Sequence, residues 1–341
     1  MRDILFDDGR GLYCPAADVH IDPWKPVSRA VVTHAHSDHL TRGCGAYLVS
    51  HRSRHVTAAR LEDGASVQTL PFGRALNVGG ATISLHPASH ILGSSQVRVS
   101  VGGERWVVTG DFKVARDATT EPFELVPCDT LITESTFALP VYRWEDDAVT
   151  SRYMLEWWAH CQHAGRVPVL FAYALGKAQR VLSLLDPPLG PIFVHGAIHR
   201  LCAAYAATGV RLPAVQHASL FDKSNPEHRR GIVLGTPGMR TSPWLRRFGP
   251  VSTAFASGWM RARGRRRARS LDRGFVLSDH ADWDGLTNTI RASGARRVLV
   301  THGYVDVLTR WARERGLDAA PLRAPYAGGD PDGDPDSETD A

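Results

Sequence analysis

The segment Thr33–His39, ThrHisAlaHisSerAspHis, constrains this chain more than any other stretch. It follows the apolar run AlaValValThr (30–33) and crowds His34, His36, Asp38 and His39 together at the end of an expected strand. Imidazole and carboxylate are ligand types for zinc, and four of them in one turn repel, desolvate or mispair unless a cation sits among them. Neighbours this close in sequence cannot all wrap one ion, so further ligands must come from other strand ends. The candidates are His90 in HisProAlaSerHis (86–90), Asp111 in ValValThrGlyAsp (107–111) and His302 in ValLeuValThrHis (298–302). Each follows a strand-like run and stands near small residues that permit close approach.

Around these positions the pattern is that of short strands: AlaTyrLeuVal (46–49), AlaThrIleSerLeu (81–85) and ArgTrpValValThr (105–109). Near Glu145 the rhythm turns helical and then alternates, with strands expected at 167–172, 191–194 and 231–234 and helices from about Lys177 to Leu185 and His199 to Ala207. Such alternation predicts a parallel-sheet α/β unit. The strand-then-histidine style returns at 274–280 and 297–302, so one domain is interrupted by another: 1–140, an insert at 141–268, and a return at 269–326. A chain of 341 residues has room for both.

The formal net charge is +5, but the tail from 327 to 341 holds six carboxylates and no base, which leaves the remainder near +11 and suits a polyanionic partner. That tail, rich in Gly, Pro and Asp, is expected to be disordered. No apolar run approaches the length of a membrane span and the first ten residues have no apolar signal core, so the expectation is a cytoplasmic protein with no membrane partner. Five scattered cysteines without a CxxC pair predict neither disulfides nor a cysteine zinc site.

HisxHisxAspHis, a histidine some 50 residues later and GlyAsp at a strand end resemble the metallo-β-lactamase superfamily, with Asp22 matching its structural aspartate. IleThrGluSerThrPhe (132–137), LeuSerAspHisAlaAsp (277–282) and LeuValThrHisGly (299–303) resemble the three extra motifs of its β-CASP nucleases, and AlaLeuGlyLysAlaGln (174–179) and ThrProGlyMet (236–239) resemble pieces of that branch's inserted domain. GlyLeuTyrCysPro (11–15) and IleAspProTrp (21–24) are similar to the bacterial DNA-ligase-associated exonucleases. The resemblance spans about residues 1–325 and implies an α/β fold, a four-layer αβ/βα sandwich with an inserted β-CASP-like domain.

Carried over residue by residue, the resemblance implies that His34, His36 and His90 hold one divalent ion, that Asp38, His39 and His302 hold another, and that Asp111 bridges them. Two such ions, Zn2+ by ligand type with Mn2+ as the alternative, lower the pKa of a shared water toward about 7 and clamp a phosphodiester for in-line attack. Asp38, Glu134 and His280 take the catalytic positions, the Glu134/His280 pair supplying a proton to the leaving oxygen. Gly176, Lys177 and Arg180 open a helix where amides, dipole and two cations offer a phosphate pocket. The arginines between 261 and 269 offer phosphate neutralisation or form a solvated hinge. The implied function is a metal-dependent nuclease trimming DNA ends in repair, with a DNA ligase and a helicase as partners. His302 stands where RNA-cutting members carry histidine, so an RNA-processing nuclease is the alternative.

Overall fold

The computed structural model describes residues 3–262 and 271–322. The acidic tail and the arginines beyond Arg261 in the 261–269 run lie outside the described residues. Two compact units emerge: one takes the chain to Arg143 and resumes at His280, the other runs from Trp144 to Asp279.

The first unit contains two sheets. One runs Phe6–Asp7, Leu12–Cys14, Val19–Ile21, Arg29–Val31, Ala46–Ser50, Val67–Leu70 in sequential order, antiparallel at its start and parallel from Val19–Ile21 onward. The other, in spatial order, is Asp318–Pro321, Arg297–Gly303, Thr130–Ser135, Glu104–Val108, Ser95–Val101, Ala81–Pro87, Ala75–Val78. Period-two alternation decides what each face of this second sheet meets. Ile83, Leu85, Val97, Val99, Trp106, Val108 and Ile132 pack against Leu12, Val19, Ile21 and Val31 of the first sheet. Val107, Leu131, Val298 and Val300 point the other way, under helices Trp283–Ala292 and Val305–Arg313, where Leu286, Ile290, Leu308 and Trp311 cover them.

The second unit is one parallel sheet in the order Val215–His217, Ile192–Val194, Ile232–Gly235, Val167–Phe171, Val251–Ala256, Arg273–Phe275. Its central strand Val167–Phe171 is buried throughout, as a sheet covered on both faces requires. Helix Asp147–His163 begins at Asp146, whose side chain accepts from the Ala148 amide at 2.8 Å, and stops before Gly165 at φ 66°. Two expectations are corrected here. The return to the first unit falls at His280 rather than 269, because Arg273–Phe275 pairs with Val251–Ala256 inside the second unit. The helix expected from His199 starts at Gly196, since the His195 ring accepts from the Ala197 amide at 3.3 Å and caps it. All five cysteines are free, and burial pushes the Cys128 thiol up to about 12. Among the described residues no helix is long and apolar enough to cross a membrane.

In the second sheet of the first unit, Glu104–Val108, Thr130–Ser135 and Arg297–Gly303 run parallel, so the residues that follow or end them emerge along one edge. Gly110 lets that edge meet the first sheet: its φ is 55°, and a Cβ there would stand 2.7 Å from Thr33 Cβ. Gly110→Ala therefore combines a left-handed backbone penalty with overpacking, and should cost about 2–5 kcal/mol in denaturant unfolding. A loss under about 1 kcal/mol would mean that the two strand ends do not need this approach.

Candidate metal centre

Asp22 opens the site. It follows the strand Val19–Ile21 at φ 42°, accepts from the Thr33 amide at 2.7 Å and from the Thr33 hydroxyl at 2.6 Å, and lies 2.7 Å from His39 Nδ1. With Nδ1–H donating to Asp22, the His39 ring presents Nε2 to the interior, where that atom is buried with no hydrogen-bond partner. His302 Nε2 is likewise buried and unpartnered. Its ring stacks on His39 with centroids 5.4 Å apart, and its backbone sits at φ 52°, a strained value for a residue with a Cβ. Ser135 holds that backbone by donating to the carbonyls of Thr301, at 3.0 Å, and His302.

The other histidines converge from a second direction. His36 Nδ1 lies 3.1 Å from both His34 Nε2 and His90 Nε2. The Ser94 hydroxyl accepts from the His90 amide at 2.9 Å and fixes the loop that carries it. Asp111 lies 3.7 Å from His34, 3.6 Å from His39 and 3.8 Å from His90, all at Nε2, and 3.9 Å from His280 Nδ1. The ligand atoms of His34, His36 and His90 fall within 4.8 Å of one another; so do those of Asp38, His39 and His302, those of His34, His39 and Asp111, and those of His90, Asp111 and His280. Asp111 thus belongs to two of the four sets.

Electrostatics favours a cation here. Burial holds His34 well below the ordinary imidazole range, and the neighbouring rings of His39, His90 and His36 add to this. Burial also works against a charged His39, yet Asp38, Asp111 and Asp22 hold that ring well above its usual value. Burial would raise the Asp111 carboxyl, but His39, His280 and His34 keep it well below the carboxylate range. Imidazoles with inward nitrogens, carboxylates around them and two orphaned buried Nε2 atoms form a donor set that fits divalent metal.

Glu134, 1% exposed, ends the site on the other side. Its carboxylate accepts from the Phe112 amide at 2.9 Å and receives His280 Nδ1 at 3.1 and 2.9 Å from its two oxygens. His280 is partly open, and its ring lies 4.6 Å from that of His90. A carboxylate that fixes one ring nitrogen leaves the imidazole oriented for proton transfer at the other.

Gly176, Lys177 and Arg180 lie in the second unit and are buried. The Gly176 amide donates to Gln179 Oε1 at 2.8 Å. Lys177 Nζ pairs with Asp279 at 2.8 Å, and Arg180 pairs with Asp279 at 3.1 Å and with Asp147 at 2.5 Å. The cations expected to face a phosphate therefore face carboxylates. Sequence reasoning missed these partners, and it missed Thr33, Ser135 and Ser94, small hydroxyls whose only signal was nearness in sequence to His34, Glu134 and His90. Arg261, the first of the arginine run, approaches Glu145 at 3.6 Å.

No family model matches the chain. By sequence it is similar to a Probable DNA ligase of Opitutus terrae, 33% identical over 319 residues, which covers 93% of this chain and 31% of that protein. It is similar to Cleavage and polyadenylation specificity factor 73 of Drosophila melanogaster, 26% identical over 175 residues, covering 50% and 25% of the two chains. It is also similar to Endoribonuclease ysh1 of Aspergillus fumigatus, 31% identical over 149 residues, covering 40% and 17%. The chain spans less than a third of the length of each of these relatives. A solved structure of a protein of unknown function from Enterococcus faecalis shares the fold, with a TM-score of 0.56 at 10% identity over 87% of this chain and 79% of that one.

Removing Lys177 takes one of the cations that face the buried Asp279, at 2.8 Å, away from it. Lys177→Met should lower the stability of the protein by about 2–4 kcal/mol in denaturant unfolding, somewhat below a fully broken buried pair because Arg180 still faces Asp279. A change within about 0.5 kcal/mol would show the ammonium to be free, as a phosphate ligand would be.

Proposed function

Since the chain belongs with the β-CASP nucleases of the metallo-β-lactamase superfamily, we propose that it is a metal-dependent exonuclease that hydrolyses phosphodiesters at DNA ends, in the cytoplasm and in the service of repair. On this reading the facing sheets with their helices are the four-layer αβ/βα sandwich, and Trp144–Asp279 is the inserted β-CASP-like domain. The observation that carries the proposal is the convergence of His34, His36, Asp38, His39, His90, Asp111 and His302 from separate strand ends onto one buried cluster with the Glu134–His280 pair beside it. His34, His36 and His90 would hold one ion, Asp38, His39 and His302 a second, with Asp111 between. Zinc suits this donor set, with manganese as the alternative.

The ions, when bound, supply Lewis acidity and an activated water. The rest of the work belongs to the chain. Asp22 and Thr33 fix the His39 ring, Ser135 fixes the His302 backbone, and Glu134 fixes His280 through Nδ1. His280 Nε2, less buried than its neighbours, then gives a proton to the departing sugar oxygen, and Glu134 stabilises the imidazolium before that transfer.

DNA is favoured by the extent of the likeness to the Probable DNA ligase, which takes in most of this chain and suggests a DNA ligase as a partner; a helicase as a further partner rests on the motif resemblance alone. RNA processing is the second reading, supported by the relatives named endoribonucleases and by His302. End-labelled DNA and RNA, incubated with the wild type, Asp38→Ala and Glu134→Gln in zinc or manganese, decide between them. The expected result is a ladder of shortened DNA, a rate loss of roughly 100-fold or more for each variant and abolition by chelator. Internal cuts in RNA would reverse the polymer, and unchanged cutting by both variants would remove the site from the reaction.

A further inference from the structure

A cavity of about 60 Å³ opens beside the metal-ligand cluster in the first unit, and the function above gives it no role. Its walls are Leu12, Ile21, Val108, Ile132, Leu322 and Trp24, and Asp38, His39 and His302 stand on its lining. Leu12, Ile21, Val108 and Ile132 belong to the core between the two sheets, so the cavity is the open end of that core.

Three threonines also line it, and each hydroxyl is already engaged. Thr109 donates to the Gly110 carbonyl at 2.6 Å, Thr133 to the Glu134 carbonyl at 3.2 Å, and the Thr301 hydroxyl lies 3.3 Å from His302 Nδ1. The Asp22 and Glu134 carboxylates are likewise held, by Thr33 and His39 and by Phe112 and His280. On the nuclease reading Asp38, His39 and His302 are turned to the ions, so a guest seated between Leu12, Ile21, Val108, Ile132 and Leu322 meets hydrocarbon and an indole, and from the threonines oxygens whose own contacts lie elsewhere.

Its size narrows the guest. At about 10–15 Å³ of such volume per water it has room for about four to six waters, close to one five-membered sugar ring. Any phosphate held at Asp38, His39 and His302 carries a sugar as its immediate neighbour. Building on the nuclease reading, we infer that this cavity seats the sugar of the terminal nucleotide and selects deoxyribose over ribose. A 2′-hydroxyl buried against that wall would exchange its hydration for at most one threonine oxygen, and a 2′-hydrogen loses nothing.

The test uses single strands alike except at the terminal sugar, which carries 2′-hydrogen, 2′-fluorine or 2′-hydroxyl, with a second series modified one nucleotide inward. The expected result is a kcat/KM for the terminal 2′-hydroxyl strand roughly 10- to 100-fold below the 2′-hydrogen strand, the 2′-fluoro strand close to the latter, and little effect from the inward series. Equal rates for hydroxyl and hydrogen, or a fluoro strand as slow as the hydroxyl one, would overturn the inference. Val108→Thr places a hydroxyl on the wall at nearly constant volume and should narrow the hydroxyl-to-hydrogen ratio within that one protein, whatever its overall rate; an unchanged ratio counts against the cavity. Calorimetric titration with dCMP and CMP reads the same choice without turnover. A protein that cuts no strand but binds dCMP more tightly overturns only the nuclease reading, whereas equal binding of the two nucleotides overturns the sugar pocket.

Discussion

Everything in the first unit serves one difficult juxtaposition, in which imidazoles and carboxylates are held together away from water with their lone pairs facing one another. Left to themselves these groups would separate, because a buried polar atom without a partner costs of the order of 1–3 kcal/mol. Several of them are pinned from behind. Asp22 receives three contacts, from the Thr33 amide, the Thr33 hydroxyl and His39 Nδ1, and Glu134 receives the Phe112 amide and His280. The scaffold satisfies the outward nitrogen of His39 and leaves the inward one bare. That asymmetry fits a site that could hold a cation better than a core that has tolerated a few histidines.

The chain pays for this geometry in backbone strain and in glycine. Asp22, His302 and Gly110 all have positive φ, and each lies at the end of a strand where the polypeptide must turn sharply to put a side chain or a neighbouring strand into the cluster. Trp144–Asp279 interrupts the first unit in sequence. Within the first unit the two sides of this interruption lie together: the Trp283 amide donates to the Tyr142 carbonyl at 3.1 Å, and Arg143 pairs with Asp284 at 2.9 Å. The chain thus leaves and re-enters the first unit at neighbouring points, where an insertion of any length disturbs least.

Local signals made the strands and the ligand-type residues legible. Apolar runs ending in histidine or aspartate announce themselves over five or six residues, and the strands Ala46–Ser50, Ala81–Pro87 and Arg297–Gly303 lie within a residue or two of where their runs predict. What stayed hidden depends on long-range pairing. Lys177 and Arg180 read as free cations at a helix start because the carboxylate that meets them, Asp279, lies about a hundred positions onward. The same blindness set the return of the chain at 269: GlyPheValLeu has the composition of a strand, but composition does not say that its partner is Val251–Ala256. Thr33, Ser94 and Ser135 escaped because a small hydroxyl beside a ligand looks the same whether it bonds the ligand's support or water.

His302 sharpens the question of polymer choice. By resemblance it leans toward RNA, yet the side chain stacks on His39, shares a ligand set with Asp38 and has its Nε2 buried without a partner. On the proposed reading a group so disposed would act on whatever holds the phosphate, and phosphate is common to both polymers. Discrimination between them requires contact with the one atom that differs, the 2′-oxygen. Next to His302 the structure offers the apolar cavity bounded by Leu12, Val108, Ile132 and Leu322, where the three threonine hydroxyls are already engaged. The identity of residue 302 and the choice of sugar are therefore separable, and a histidine at this position is compatible with an enzyme that rejects ribose.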